Sequence, residues 1–301
     1  MKISKKITFL LLLIALFSAN AVEYHKRSNV EKMRSFTKAG GWKDNDKTFH
    51  LTFDNLTLNS TFAFGSGKAQ GVKDINLALR GGPGFDTGNA YRAEPEENLK
   101  YSAVGNINPH NGTLLFWTCG LDYAPGDRLT NGKKRTNMAL ADLRFGDGKE
   151  HISIRIYEFN GYLAAMWSSS AAPEAKGYGS IALCETRIDF PRNQWYQIAL
   201  TWTPEHFAFY VNGKLRAKSS MPPKIKLTSN LRMKHNDSYI GIRSKFYDDD
   251  HSMATGIDDV IVLKRALTEI EVGNAYGKLV KGGSGEFKAF TVDLNGVEDC
   301  S

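Results

Sequence analysis

Arg155 and Tyr157 stand two positions apart in the run His151-Ile152-Ser153-Ile154-Arg155-Ile156-Tyr157. On an extended strand that spacing puts a planar cation and an aromatic ring about 7 Å apart on one side. The pair suits a sugar, whose apolar C–H face a ring can cover and whose paired hydroxyls a guanidinium can bond. His151 lies about 20 Å from Tyr157 along the same strand and cannot touch the same sugar unit. Trp167 and Arg243 are further candidates for a carbohydrate-binding platform, and Arg144 and Arg187 would add positive charge if they faced the same way.

Catalysis has less to work with. A retaining glycosidase needs two carboxylates about 5 Å apart, and no predicted strand carries acids at alternate positions. The acids cluster instead at Glu94, Glu96 and Glu97 around Pro95, at Asp248, Asp249 and Asp250, and at Glu269 and Glu271. The three consecutive aspartates read as a solvated turn. A polysaccharide lyase needs only a group to neutralise a uronate and a His or Tyr to move a proton from carbon. Arg155 and Tyr157, joined by His110 or His235, would meet that need. No nucleophilic triad and no phosphate-binding loop is visible.

The elements that must position these residues are strands. Apolar and polar residues alternate in short runs bounded by Gly, Pro, Asn and Asp, as in antiparallel strands with one face in a core. The run from His151 to Tyr157 sends its three isoleucines to one side, and a slip of one residue would invert it. Further strands are expected at Phe49–Phe53, Asn111–Thr118, Tyr162–Trp167, Ser180–Ile188, Trp195–Thr203, Phe207–Val211, Ser238–Arg243 and Gly256–Leu263. Asn160-Gly161 and Asn212-Gly213 tolerate the positive φ of tight hairpin turns. About ten such strands predict an all-β fold, a two-sheet antiparallel β-sandwich or jelly roll. Thr268–Tyr276 can form one short helix, with Thr268 and Glu271 in capping-box spacing.

Lys2, Lys5 and Lys6 precede an apolar run from Ile7 to Phe17 that ends at Ala19-Asn20-Ala21, the pattern of a secretory leader with its cleavage site. The run is about half the roughly 20 apolar residues a membrane span needs. The expected organisation is a leader over 1–21, a polar arm over 22–46, one domain over 47–276, and a tail or last strand over 277–301 after the joint Gly282–Gly285. The product would work outside the cytoplasm, secreted or periplasmic. Loss of the leader lowers the formal charge from +7 to +4, with 36 basic residues against 32 acidic. That surface gives weak support to an acidic partner and, with export, argues against nucleic acid. Cys119, Cys184 and Cys300 leave two readings open: one bridge with a spare thiol, or two buried apolar cysteines and one on the tail.

In order and spacing, several blocks together resemble the laminin G-like domains of the concanavalin A-like lectin/glucanase superfamily. They are Phe49–Asp54, the glycine-rich Gly81–Gly88, Gly112–Trp117, Gln194–Trp202, Phe209–Leu215, Tyr239–Gly241 and Ile257–Val260 with Arg265–Thr268 behind it. The resemblance implies a concanavalin A-like jelly roll over Phe49–Tyr276 whose Trp117, Trp195 and Trp202 pack in the sandwich. It also implies a structural Ca²⁺ ion held by Asp258, Asp54 and a carbonyl of Gly88, against the alternative that the aspartates cap strand ends. The Arg, Gln-x-His and Tyr-Lys motifs of lyases on this fold are missing. The superfold hosts many functions, and the expected one is a non-catalytic module that binds a polysaccharide or glycan, with an extracellular protein as the alternative partner.

Overall fold

The computed structural model describes residues 42, 44–53, 57–70, 79–80, 89–93, 98–120, 137–146, 151–159, 162–169, 180–187, 195–220, 233–234, 237–243 and 255–280. The leader, most of the arm, the Gly81–Gly88 loop, Glu94–Glu97, Asn160-Gly161, His235, Asp248–Asp250 and residues 281–301 of the tail lie outside these residues. Two antiparallel sheets result. Their strands are β1 (Lys47–Leu51), β2 (Phe62–Ala63), β3 (Leu79–Arg80), β4 (Asn89–Ala93), β5 (Asn98–Ser102), β6 (Gly112–Gly120), β7 (Asn137–Gly146) and β8 (His151–Phe159). The remainder are β9 (Tyr162–Ser169), β10 (Ser180–Arg187), β11 (Tyr196–Trp202), β12 (His206–Val211), β13 (Lys214–Ser220), β14 (Tyr239–Arg243) and β15 (Thr255–Leu263), followed by helix α1 (Glu269–Val280).

The nine-stranded sheet runs β13-β12-β11-β6-β15-β1-β2, with β4 on β15 and β3 on β4; the six-stranded sheet runs β10-β9-β8-β7-β14-β5. This is the expected sandwich. Between the sheets lies one core in which Ile152, Ile154 and Ile156 of β8 meet Phe116, Trp202 and Phe207 of the other sheet. The nine-stranded sheet is covered on its second side as well. There Leu115, Ala199, Tyr210 and Ile261 form a second apolar layer with Val272 and Ala275 of α1. This explains why β11 and β15 are buried at every position. Trp117, Trp195 and Trp202 are all buried, at 1%, 0% and 0% exposure. Asn212 and Gly213 adopt φ of 51° and 72° between β12 and β13, and a Cβ on Gly213 would meet the Cβ of Tyr276 at 2.6 Å. Glycine is required there both for the turn and for the close approach of α1.

Trp42 and the short 3-10 turn Asp44–Asp46, within the segment read as an arm, are tied to the domain: Trp42 lies in the second apolar layer. Arg265 Nε donates to Asp46 at 2.8 Å, and its two terminal nitrogens donate to Glu271 at 3.0 and 2.7 Å. Glu271 also accepts from the Thr268 amide at 2.8 Å, while the Glu271 amide donates to Thr268 Oγ1 at 3.3 Å, so the capping box forms. The Arg265 hydrogen bonds hold the Glu271 carboxyl below the usual carboxylate range. Cys119 is buried and unbridged, its thiol pushed up chiefly by burial. Among the described residues no helix is long and apolar enough to cross a membrane.

Thr268→Ala is expected to lower stability in urea by about 1 kcal/mol through loss of the N-cap. A depressed native carboxyl contributes stability above its unfolded pKa and loses it as pH falls through the native one. Arg265→Ala should therefore flatten the acid limb of the stability curve as well as lower its neutral plateau. Unchanged midpoints in both variants would show that the cap contributes nothing.

Candidate functional site

The outer face of the six-stranded sheet carries the polar half of the alternation. On β8 that half is His151, Ser153, Arg155 and Tyr157, opposite Ile152, Ile154 and Ile156, which are at most 5% exposed. Pairing brings neighbours alongside: Asp142 is opposite Arg155 and Arg144 opposite Ser153 on β7. Met166 of β9 flanks Arg155 on the other side. Beyond β7, Tyr239 of β14 is opposite Arg144, Gly241 opposite Asp142, and Lys100 of β5 opposite Gly241.

A bulge sets this register. Between Ala139 and Ala141 strand β7 carries one extra residue, and Leu140 and Ala141 both enter the core. Ala139 and Asp142 are left on the outer face, where Ala139 pairs with Tyr157 and Asp142 with Arg155. Bulges re-aim side chains in this way.

Asp142 is only 1% exposed although it belongs to the outer face. Its Oδ1 lies 3.7 Å from Arg155 Nε and its Oδ2 accepts from the Tyr239 hydroxyl at 3.1 Å. Tyr239 also carries the Lys100 ammonium 4.6 Å above its ring. A buried charge persists only when paired and hydrogen-bonded, so Asp142 anchors the two side chains that stand over it. A terminal nitrogen of Arg144 donates to His151 Nδ1 at 3.3 Å. A ring nitrogen that accepts from a guanidinium is unprotonated, which places the imidazole proton on Nε2. Burial, followed by the charges of Arg144 and Arg155, holds the His151 pKa below its ordinary value, against the pull of Asp142.

The structure sorts the expected platform residues. Arg155 and Tyr157 share the outer face, partly exposed, as their spacing predicts. Trp167 does not join them: it is 0% exposed and packs on Phe207 with ring centroids 6.2 Å apart. Its indole belongs to the sandwich core, because β9 turns Leu163, Ala165 and Trp167 inward. Arg243 is the last residue of β14, opposite Asn98, and its side chain lies outside the described residues. Arg144 faces the same way as Arg155, whereas Arg187, opposite Tyr162, is described by its backbone alone. His110 precedes β6 on the other sheet, its amide bonded to Asn108 Oδ1. Sequence reading missed Asp142, Tyr239 and Lys100. The alternation Asp142-Leu143-Arg144-Phe145 carried a signal for the first of these, which the bulge beside it interrupts.

Of the expected calcium ligands, Asp54 and Gly88 lie outside the described residues. Asp258 is 3% exposed, and its Oδ1 accepts from the Asp259 amide at 2.8 Å. Asp259 stands at a bulge of β15 with φ 45°, and its Oδ1 lies 3.3 Å from His50 Nε2, both side chains 5% exposed. Carboxylates are the right donor type for a hard cation, but one oxygen of Asp258 is committed to an amide, as in a strand cap. Among the described residues no group of three His, Cys, Asp or Glu side chains converges.

Residues 128–273 match a laminin G-type family of the concanavalin A-like lectin/glucanases superfamily, in agreement with the resemblance seen in the sequence. The fold is similar to the botulinum neurotoxin serotype C1 binding domain, with TM-score 0.54 and 13% identity over 78% of this chain and 52% of that one. It is likewise similar to the ligand binding domain of botulinum neurotoxin serotype D in complex with N-acetylneuraminic acid, with TM-score 0.50 and 12% identity over 77% and 51%. At such identities the likeness is one of fold, and the chain spans about half the length of these structures. No curated protein matches the chain in sequence.

A histidine whose native pKa is depressed leaves the unfolded chain holding more protons once pH falls below its unfolded value. Lowering pH from about 7.5 to about 5.5, across the ordinary histidine range, should therefore lower the melting temperature. His206 shifts in the same direction, chiefly by burial, so His151→Gln is expected to remove part of the loss. A variant with the full wild-type pH dependence would show that the Arg144–His151 contact does not perturb the imidazole.

Proposed function

We propose that this chain is an exported, non-catalytic module that binds a carbohydrate, polysaccharide or glycoprotein glycan, on the outer face of the six-stranded sheet. The observation that carries the reading is Arg155 beside Tyr157 on that face, with buried Asp142 beneath Arg155 and bonded to Tyr239. An aromatic ring and a guanidinium held from below give a sugar a surface for its C–H face and a fork for its hydroxyls, with little side-chain ordering left to occur on binding. The basic, apolar N-terminal segment supports export. A similar fold that carries N-acetylneuraminic acid supports a sugar as ligand. Arg155→Ala and Tyr157→Ala are each expected to remove the signal of the protein on a glycan array, while Trp167→Phe keeps it. Full signal in both alanine variants would sink the proposed platform, and a silent array with recovery of a defined extracellular protein would establish the alternative partner.

The same reading includes the structural Ca²⁺ ion, with Asp258 as its ligand among the described residues and Asp54 and Gly88 as the ligands implied by resemblance. Chelator is expected to lower the melting temperature and added Ca²⁺ to restore it, because an ion bound only to the folded state stabilises by mass action. The restoring effect should vanish in Asp258→Ala. A melting curve indifferent to chelator would leave Asp258 the role of amide cap alone.

A further inference from the structure

Arg144 is a partly buried cation whose one hydrogen bond is to a neutral ring. Its terminal nitrogen is donated to His151 Nδ1 and its buried Nε meets no hydrogen-bond partner. Guanidinium groups withdrawn from water ordinarily meet a carboxylate, and an unsatisfied charged donor is costly. The carboxylate beside it on β7, Asp142, turns instead to Arg155 and Tyr239. Asp142 is the one acid among the described side chains of this face, against Arg144, Arg155 and Lys100. Among those side chains positive charge is in excess.

The placement of that excess is specific. Arg144 stands opposite Ser153, and His151 and Arg155 flank Ser153 on β8, roughly 7 Å to either side. Ser153 is 3% exposed, so its short side chain forms a floor with three cationic or proton-donating groups around it. With Nδ1 engaged by Arg144, the ring proton of His151 lies on Nε2.

We infer that the Arg144, His151 and Arg155 corner of the sheet is the seat of a sugar carboxylate, so that the module selects acidic glycans, uronate or sialate, over neutral ones. This rests on the glycan-binding reading above. A guanidinium matches a carboxylate in bidentate geometry, and Tyr157, two positions beyond Arg155, covers the ring of the same or the adjoining sugar. The carboxylate would also reverse the electrostatic setting of His151. Among the described residues the charged groups that act on this imidazole are Arg144 and Asp142 on β7 and Arg155 on its own strand. A bound anion draws the Arg144 donor off Nδ1 and offsets the two arginines, so Nδ1 can take up a proton and binding tightens as pH falls.

Isothermal titration of the full exported chain with matched oligosaccharides tests this. The pairs are trigalacturonate against its methyl ester and sialyllactose against lactose, with lactose 3-sulfate as the sulfate arm. The acidic member of a pair is expected to bind about tenfold more tightly, with a preference that shrinks as salt rises. Arg144→Gln should bring the acidic ligand down to its neutral match, and Arg144→Lys, which keeps the charge without the fork, should retain part of the preference. The tightening between about pH 7.5 and about pH 5.5, across the histidine range, should disappear in His151→Gln. Equal binding of acidic and neutral members overturns the inference and leaves the glycan reading standing. A preference for the sulfate alone overturns the carboxylate assignment. No binding by any oligosaccharide, together with a silent array, overturns the glycan reading itself and the inference with it.

Discussion

Ile152, Ile154 and Ile156 fix β8 in its register, and the rest of the molecule is arranged around that constraint. Burying three isoleucines is worth several kcal/mol that a slip of one residue would forfeit, since it would carry them to the outer face and drive His151, Ser153, Arg155 and Tyr157 into the core. Strand β8 pairs on both edges, with β7 and β9. Its register therefore decides which residues of those strands face out. The core thus sets the chemistry of the surface: the side chains presented on the outer face are those the isoleucines exclude.

The second constraint is the carboxylate of Asp142. A one-residue bulge in β7 keeps it on the outer face and opposite Arg155, yet it is almost fully withdrawn from water. Removing such a group would take from Arg155 its ion pair with Asp142 and from the Tyr239 hydroxyl the Asp142 acceptor. The arrangement is directional, because Asp142 draws Arg155 and Tyr239 towards the sheet while Arg144, on the same strand, is turned to an imidazole. Among the described side chains one acid stands against three cations, so the surface is braced near Asp142 and more positive near Arg144.

The sequence made the sandwich legible wherever alternation was clean, and β6, β8, β11, β12, β14 and β15 lie within two residues of their expected limits at either end. It hid β7, where two adjacent inward residues, Leu140 and Ala141, break the period of two. It also hid β13, the edge strand whose Lys214, Leu215, Arg216 and Lys218 are exposed, because an edge defended by charge has no apolar face to read. The site was legible in half: Arg155 and Tyr157 follow from spacing on one strand, whereas Asp142, Tyr239 and Lys100 depend on cross-strand pairing. Trp167 shows the converse. In Leu163-Ala164-Ala165-Met166-Trp167 both faces carry apolar residues, so periodicity could not say which way the indole points, and packing against Phe207 decided it.

The two sheets are not equivalent surfaces, and the difference bears on where the proposed binding chemistry can sit. The nine-stranded sheet has apolar residues on both sides, and α1 with Trp42 covers the second one. Its strands β11 and β15 are accordingly buried at every position, and some polar groups of the sheet are spent internally, as in the His50–Asp259 contact and the Asp258 carboxylate on its neighbouring amide. The six-stranded sheet has one apolar side, facing the core, and one polar side. A ligand that meets hydroxyls, rings and guanidinium groups together can therefore find them, among the described residues, on the outer side of β5, β14, β7 and β8. Across those four strands the groups are Lys100, Tyr239, Arg144 with Asp142, and Arg155 with Tyr157. Three inter-strand steps of about 4.8 Å each separate the first from the last. That reach exceeds one sugar ring, so on the proposed reading an extended saccharide laid across the strands would engage Lys100 and Tyr157 at once where a single sugar would not.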